Sequence, residues 1–202
     1  MITRTDILNF IIHNYKFNTY LEIGVRDPNE NFNNIIIKNK DGVDPFPVTP
    51  VKYQVTSDLF FSDYVNNKKY DIIFVDGLHT SEQVYKDIKN SLMCLNNDGF
   101  IVIHDCNPTL EYHTRSYDEY LKHRGIWNGD VFKGFIKIKN ELPEYSCFVV
   151  NEDYGCGVIT KKKILNNNTI DLNIDDINWE FFNKNRIKLL QLIEFDEFIK
   201  LF

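Results

Sequence analysis

Hydrophobic positions along the chain change their period several times, and each change marks an element. Between residues 5 and 15, Ile7, Leu8, Ile11, Ile12 and Tyr15 recur at helical spacing behind Thr5 as a candidate cap, which predicts an opening helix. Tyr20-Leu21-Glu22-Ile23-Gly24-Val25 reads as a short strand running into a glycine turn. A helical stretch is expected over 29–38, a short strand at Asp41-Gly42-Val43-Asp44 stopped by Pro45, an alternating third strand over 51–56 and a short helix over 58–66. Tyr70-Asp71-Ile72-Ile73-Phe74-Val75-Asp76-Gly77 is a near-continuous apolar run, the mark of a strand buried on both faces of a parallel sheet. An amphipathic helix over 81–95 carries Val84, Ile88 and Leu92 on one face. After a turn at Asn96-Asn97-Asp98-Gly99, Phe100-Ile101-Val102-Ile103-His104-Asp105 forms a second buried strand. Residues 106–130 are polar and aromatic, a loop with a helical piece. Residues 131–139 fit helix or strand, and 145–161 fit two strands meeting antiparallel near Gly155 and Gly157. Asn166-Asn167-Asn168 is a linker, and from 175 to 202 Trp179, Phe182, Ile187, Leu190 and Ile193 outline a helical tail.

Strands alternating with helices, closed by an antiparallel hairpin and a C-terminal helix, make an α/β fold with a doubly wound, mostly parallel sheet. The division expected is a core over 1–165 and a helical extension over 166–202, packed on the core or at a dimer contact. Ligands of such sheets sit at the carboxyl ends of the strands.

Composition narrows the function classes. A chain of 202 residues with 43% apolar and 26% charged residues supports one domain with a sizeable core, alone or with an appendage. The net charge of −6 argues against a nucleic-acid partner, which needs a basic face. No apolar run approaches the roughly 20 residues of a membrane span. Met1-Ile2-Thr3-Arg4-Thr5-Asp6 lacks signal-peptide features, so a cytoplasmic protein is expected. The absence of alanine lowers helix propensity and makes periodicity the better guide. Cys94, Cys106, Cys147 and Cys156 form no C-x-x-C; Cys147 and Cys156 could meet across a hairpin, but buried free thiols are the expectation.

Carboxylates punctuate the strand ends: Glu22, Asp44, Asp58, Asp76 and Asp105. Gathered at one sheet edge, they form an acidic rim suited to a ligand rich in hydroxyl and amine donors, or to a divalent cation. Gly24 lets the backbone turn tightly, and Asp44 follows 20 residues later, the offset at which a carboxylate reaches ribose hydroxyls. G-x-G-x-x-G is absent, since 24–29 read Gly-Val-Arg-Asp-Pro-Asn. A cofactor with ribose and no phosphates, S-adenosylmethionine, therefore fits better than a dinucleotide.

Glu22-Ile23-Gly24-Val25, Gly42-Val43-Asp44-Pro45, Phe74-Val75-Asp76-Gly77-Leu78-His79-Thr80, His104-Asp105-Cys106-Asn107-Pro108 and Trp127-Asn128-Gly129-Asp130-Val131-Phe132-Lys133 together resemble the class I S-adenosylmethionine-dependent methyltransferases. More narrowly, they are similar to a small branch associated with polysaccharide biosynthesis. The resemblance runs from about 18 to 195 and implies a seven-stranded Rossmann-like methyltransferase sheet. It implies that Glu22 and Gly24, with Val25, hold the methionine end of the cofactor, with Glu22 near its ammonium. Asp44, beside Pro45, accepts from the ribose; Asp58, beside Ser57, accepts from the adenine amine; Asp76 and Gly77 line the floor near the sulfonium. Carboxylates suit all of these donors.

Methyl transfer to oxygen needs an aligned acceptor and an exit for its proton. His79 and His104 are the candidate bases, with Asp105 orienting one of them or binding substrate. The blander readings are a helix-start hydrogen bond for His79, with Thr80 or Ser81 capping, and a satisfied core histidine for His104. A divalent metal on Asp76, His104 and Asp105 is the rival account. Magnesium prefers hard oxygen ligands, so His104 weakens it. Asn107, Trp127 and Asp130 are the candidate substrate-binding residues. Tyr112, His113, Arg115, Tyr117 and Trp127 form either an acceptor lid or a surface loop anchored by Trp127. Trp179, Phe181 and Phe182 suggest packing or a homodimer contact. The expected activity is O-methylation of a small acceptor, a sugar or nucleotide-sugar. N-methylation and an inactive binding module are the alternatives.

Overall fold

A computed structural model describes residues 2–202; Met1, the first residue of the N-terminal stretch considered above, lies outside them. The opening helix α1 (Arg4–Tyr15) starts two residues earlier than the sequence suggests. Thr3, not Thr5, is its cap: the Thr3 side chain and Asp6 exchange hydrogen bonds in a capping box. Lys16, in the left-handed conformation, ends it. The strands follow as β1 (Thr19–Ile23), β2 (Asn39–Val43), β3 (Tyr70–Val75), β4 (Leu95–Ile103), β5 (Ser146–Val150), β6 (Cys156–Thr160) and β7 (Leu192–Ile193). They form one sheet of order β2-β1-β3-β4-β6-β5-β7, in which β6 alone runs against the others. The doubly wound, mostly parallel sheet with a closing hairpin is thus the observed fold.

Both faces of the sheet are apolar, which is why its strands read as unbroken runs. Ile73, Val75, Ile101 and Ile103 pack toward α3 (Ser81–Cys94), α5 (Val131–Glu141) and α6 (Trp179–Leu190). Ile72, Phe74, Phe100 and Val102 pack on the opposite side with Ile7, Leu8, Ile11 and Ile12 of α1 and Phe198 of α7 (Phe195–Phe198). The remaining helices are short: α2 (Ser57–Leu59), continued by a wide π turn over Phe60–Tyr64, and α4 (Tyr117–His123). Among the described residues, no helix is long and apolar enough to cross a membrane.

Several expectations are corrected. The 29–38 stretch forms only a 3-10 turn at Phe32–Asn34. Its asparagines bond locally instead, Asn33 to Asn29 at 3.0 Å and Asn34 to the Asn29 carbonyl at 2.9 Å, which competes with helix. The strand expected over 51–56 shrinks to a single bridge, Val43 to Tyr53. Side chains dock that segment: Asp41 accepts from Lys52 at 2.6 Å and from Lys68 at 2.7 Å, and Lys68 donates to the Tyr53 hydroxyl. The turn expected at 96–99 is an irregularity inside β4, where the register passes from Tyr70–Leu95 to Ile72–Phe100. The seventh strand comes from the tail: β7 pairs with β5 through Val149–Leu192 and Val150–Ile193, while Phe182 of α6 packs at a tilt against Phe132, with ring centroids 4.1 Å apart. The four cysteines are free and buried, and the hairpin register sets Cys147 opposite Ile159 and Cys156 opposite Val150.

The register also sets the site. Ile23 pairs with Val43 and Val75, and Val75 pairs with Ile103. The residues that follow each strand, Gly24, Asp44, Asp76 and His104, therefore leave the sheet at one edge.

Candidate active site

Along that edge runs a cleft of about 920 Å³. Its floor depends on close backbone contact between the ends of β1 and β3. Gly24 adopts φ +87°, and a Cβ there would stand 2.1 Å from the Asp76 carbonyl oxygen. The Gly24 N–H donates to the Val43 carbonyl, and the Asp76 N–H donates to the Ile23 carbonyl, both at 2.8 Å. Asp44 accepts from the backbone N–H groups of Arg26 at 2.8 Å and Phe46 at 2.7 Å, which fixes its carboxylate and leaves further lone pairs. Beyond it, Gln83 of α3 donates to Ser57 Oγ at 3.2 Å and Asp58 Oδ1 at 3.0 Å.

Glu22 is almost fully buried. Its Oε2 accepts from the Tyr20 hydroxyl and from Asn31 Nδ2. Burial pushes its carboxyl up to about 8 in spite of these bonds. A cation arriving beside Glu22 would restore its charge.

The deep end of the cleft holds interleaved charges. His79 Nδ1 lies 2.8 Å from the Trp127 carbonyl and 3.0 Å from Asp105 Oδ2; both are acceptors, so Nδ1 carries a proton. His79 Nε2 lies 3.4 Å from Asp76 Oδ1. His104 is more enclosed. Its Nδ1 stands 3.3 Å from both Asp76 and Asp105, and its Nε2 stands 3.4 Å from Asp153 and 3.3 Å from Arg4 Nη1. Burial opposes the charged form of each ring. The carboxylates outweigh it, raising His79 to about 10 through Asp105 and Asp76, and His104 well above its ordinary range. Burial likewise opposes ionisation of Asp76 and Asp105, but His104 and His79 hold both carboxyls well below theirs. Asp105 has a left-handed backbone, φ +63°, and Asn128 Nδ2 donates to its Oδ1. Such a conformation in a non-glycine residue stores strain where the fold must aim a side chain.

An aromatic wall closes this end. Trp127 stacks on His79 at 5.3 Å and on Tyr120 of α4 at 4.6 Å, with Tyr117 alongside. Arg115 holds the wall in place: its guanidinium donates to the carbonyls of Tyr112, Arg124 and Ile126, while the Trp127 indole donates to the Arg115 carbonyl at 2.7 Å.

Glu22, Gly24, Val25, Asp44, Pro45, Ser57, Asp58, Asp76 and Gly77 all line the cleft, with His79, His104, Asp105 and Trp127. Asn107 and Asp130 do not. Asn107 accepts from Arg186 and donates to Asn151 beneath the surface. Asp130 accepts from the Ser81 N–H and hydroxyl and so anchors the start of α3, which Thr80 caps. Tyr20, Asn31, Gln83 and Asn128 escaped the sequence reading, as did Arg4 and Asp153 from segments outside the strand ends. Asn128 left a trace inside the motif that runs from Trp127 to Lys133, and Tyr20 left one as a polar group inside the strand that buries a glutamate.

Among the described residues, Asp76, His79 and Asp105 bring one ligand atom each within 4.8 Å of one another, as a metal site would. The donor set argues against one. Arg4 stands against Asp76 and Asp153, and both ring nitrogens of His104 are already engaged by Asp76, Asp105, Asp153 and Arg4, so a permanent cation and a buried ring occupy the approaches to these carboxylates. A divalent cation does not fit this arrangement unless that charge is displaced.

Residues 22–106 match a family model described as a methyltransferase domain. No curated protein matches the chain. Among solved structures, the chain is similar to a protein assigned as a caffeoyl-CoA O-methyltransferase from Staphylococcus aureus. The TM-score is 0.55 at 16% identity, covering 80% of this chain and 85% of that one. It is similar to the methyltransferase PaMTH1 of Podospora anserina, bound to S-adenosylhomocysteine, with TM-score 0.57 at 16% identity over 81% of this chain and 80% of that one. It also resembles the plantazolicin methyltransferase BpumL, in complex with the same product, with TM-score 0.50 at 13% identity over 77% and 81%. The shared architecture is the Rossmann-like methyltransferase fold, and the matched segment, residues 22–106, holds the strand ends that form the cleft.

Proposed function

We propose that this domain transfers a methyl group from S-adenosylmethionine to a hydroxyl oxygen of a small acceptor. The observation that carries the reading is the convergence, in one cleft, of carboxylates suited to a ribonucleoside with a histidine–aspartate pair at its deep end. When bound, the cofactor supplies an electrophilic methyl group. Asp44 would accept from its ribose hydroxyls, Asp58 from its adenine amine, and Glu22 from its ammonium.

His79 is the proposed base. Asp105 Oδ2 and the Trp127 carbonyl fix its Nδ1–H, so in the neutral ring, the form that acts as base, Nε2 is the atom that takes the acceptor proton. Asp76 then stabilises the resulting imidazolium from 3.4 Å. Both nitrogens of His104 are engaged by Asp76, Asp105, Asp153 and Arg4, so His104 acts through the carboxylates, as a positioning residue. Trp127, Tyr117 and Tyr120 offer flat faces on which a sugar ring can pack, and they shield the reacting end from water. This wall supports a sugar or nucleotide-sugar acceptor, and the ordered motif resemblance supports a place in the polysaccharide-associated branch.

Calorimetry with S-adenosylhomocysteine tests the cofactor site. Binding by the wild type and its loss in Asp44→Ala are expected; no binding by the wild type rejects the reading. A panel of hydroxylated acceptors with labelled cofactor tests the rest. On a substrate so found, His79→Ala should lower turnover about 100- to 10,000-fold with product binding retained.

A further inference from the structure

Among the residues of α1, Arg4 alone lines the cleft. Its place is set by the start of the helix. The capping box at Thr3 and Asp6 fixes the first turn, and the free Arg4 backbone N–H donates to Asp153 Oδ2 at 2.9 Å. The side chain then doubles back over the same carboxylate. Nη1 lies 3.4 Å from Asp153 Oδ2 and 3.3 Å from His104 Nε2, and Nε lies 4.0 Å from Asp76 Oδ2. The guanidinium therefore spans Asp153 and Asp76. Nε is buried with no hydrogen-bond partner, so the group is held by charge and by its chain rather than by ideal hydrogen-bond geometry.

We propose that Arg4 is a tethered cation that takes, beside Asp76, the charge role a divalent ion would otherwise fill. The site then works without metal. In consequence, an acceptor needs a single nucleophilic oxygen and not a chelating pair of oxygens. That consequence rests on the methyltransferase reading; the charge role does not. Removal of the guanidinium takes from Asp76 and Asp153 the cation beside them that does not titrate and leaves only the two histidine rings. The atoms of Asp76, His79 and Asp105, already within 4.8 Å of one another, would then close on a cation.

The test is a manganese titration of the full chain, read by electron paramagnetic resonance. Arg4→Gln should bind Mn²⁺ at least about tenfold more tightly than the wild type, a gain of about 1.4 kcal/mol. Arg4→Lys, which keeps the charge, should behave as the wild type, and Arg4→Gln with Asp76→Asn should lose the gain. Equal affinity in wild type and Arg4→Gln overturns the proposal, as does a gain that survives Asp76→Asn. Thermal melts establish that the variants fold, and Arg4→Met carries the same test should Arg4→Gln not fold. The wild type gives an arm independent of any variant: selective broadening of the His79 and His104 ring resonances by Mn²⁺ also overturns the proposal. S-adenosylhomocysteine binding is measured on the same samples. Its absence from the wild type rejects the transferase reading and leaves the metal result standing.

Discussion

Replacing Gly24 by alanine should damage both the fold and the cleft, while the same change at Gly77, a few ångströms away, should do neither. At Gly24 the backbone φ is +87°, and an L-residue forced into the left-handed region costs about 1–2 kcal/mol. The added Cβ would also stand 2.1 Å from the Asp76 oxygen and 2.6 Å from Gly77 Cα, both backbone atoms that cannot rotate away. Relief requires β1 and β3 to part at their ends, which strains the 2.8 Å bond from the Asp76 N–H to Ile23, a contact contributing about 1 kcal/mol. The total is ~2–4 kcal/mol, or a fall in melting temperature of roughly 5–15 °C for a chain of this size. At Gly77 the nearest atom to a new Cβ is Asp87 Oδ2 at 3.5 Å, ordinary contact, and the expected loss is below about 1 kcal/mol. Scanning calorimetry gives the melts, and titration with S-adenosylhomocysteine gives the binding. A Gly24→Ala protein that melts within a degree or two of wild type and binds product normally would refute the claim that the two strand ends must touch to form the floor.

Glu22, raised to about 8, is roughly nine-tenths protonated at pH 7. A cationic cofactor should expel that proton, so affinity rises with pH up to about 8 and levels off above it; binding enthalpies that do not differ between phosphate and Tris buffers would contradict this. His79, raised to about 10, must lose its proton to act as a base, so kcat/KM should climb steadily from pH 6 to 9; a flat profile there removes His79 from the role. Lys139 of α5 is fully buried, donates to the Asn168 carbonyl, and is lowered by burial to about 8 from 10.5. The unfolded chain therefore binds the extra proton between those values. Wild-type stability should rise relative to Lys139→Met from pH 8 to 10.5, by up to about 1.4 kcal/mol per pH unit, and parallel denaturation curves for the two proteins would rule this out.

The parts legible in the sequence were those with a period or a punctuated end. β3 and β4 announce themselves as apolar runs ending in carboxylates, and parallel pairing then forces Asp44, Asp76 and Asp105 to one edge. Hydrogen bonds made by side chains were not legible. Alternation over 51–56 is real, with Val51, Tyr53 and Val55 turned partly inward, yet the segment is tied down by Asp41 and the lysines and not by a ladder. Helical spacing over 29–38 lost to asparagines that bond to one another. Arg4 and Asp153 meet across 149 residues of chain, and nothing in local spacing announces such a contact. β7, at two residues, is too short to show alternation at all.

That two-residue strand has an effect out of proportion to its length. Every residue of β5 is buried, and β7 is its outer neighbour. A protein cut before Leu192 would bare the edge of β5 at Val149 and Val150, apolar and with unpaired backbone groups, a template on which another molecule's extended segment could add. The final residues therefore act as a guard against self-association, and nicking by a protease in the 166–178 stretch would be expected to show itself first as turbidity.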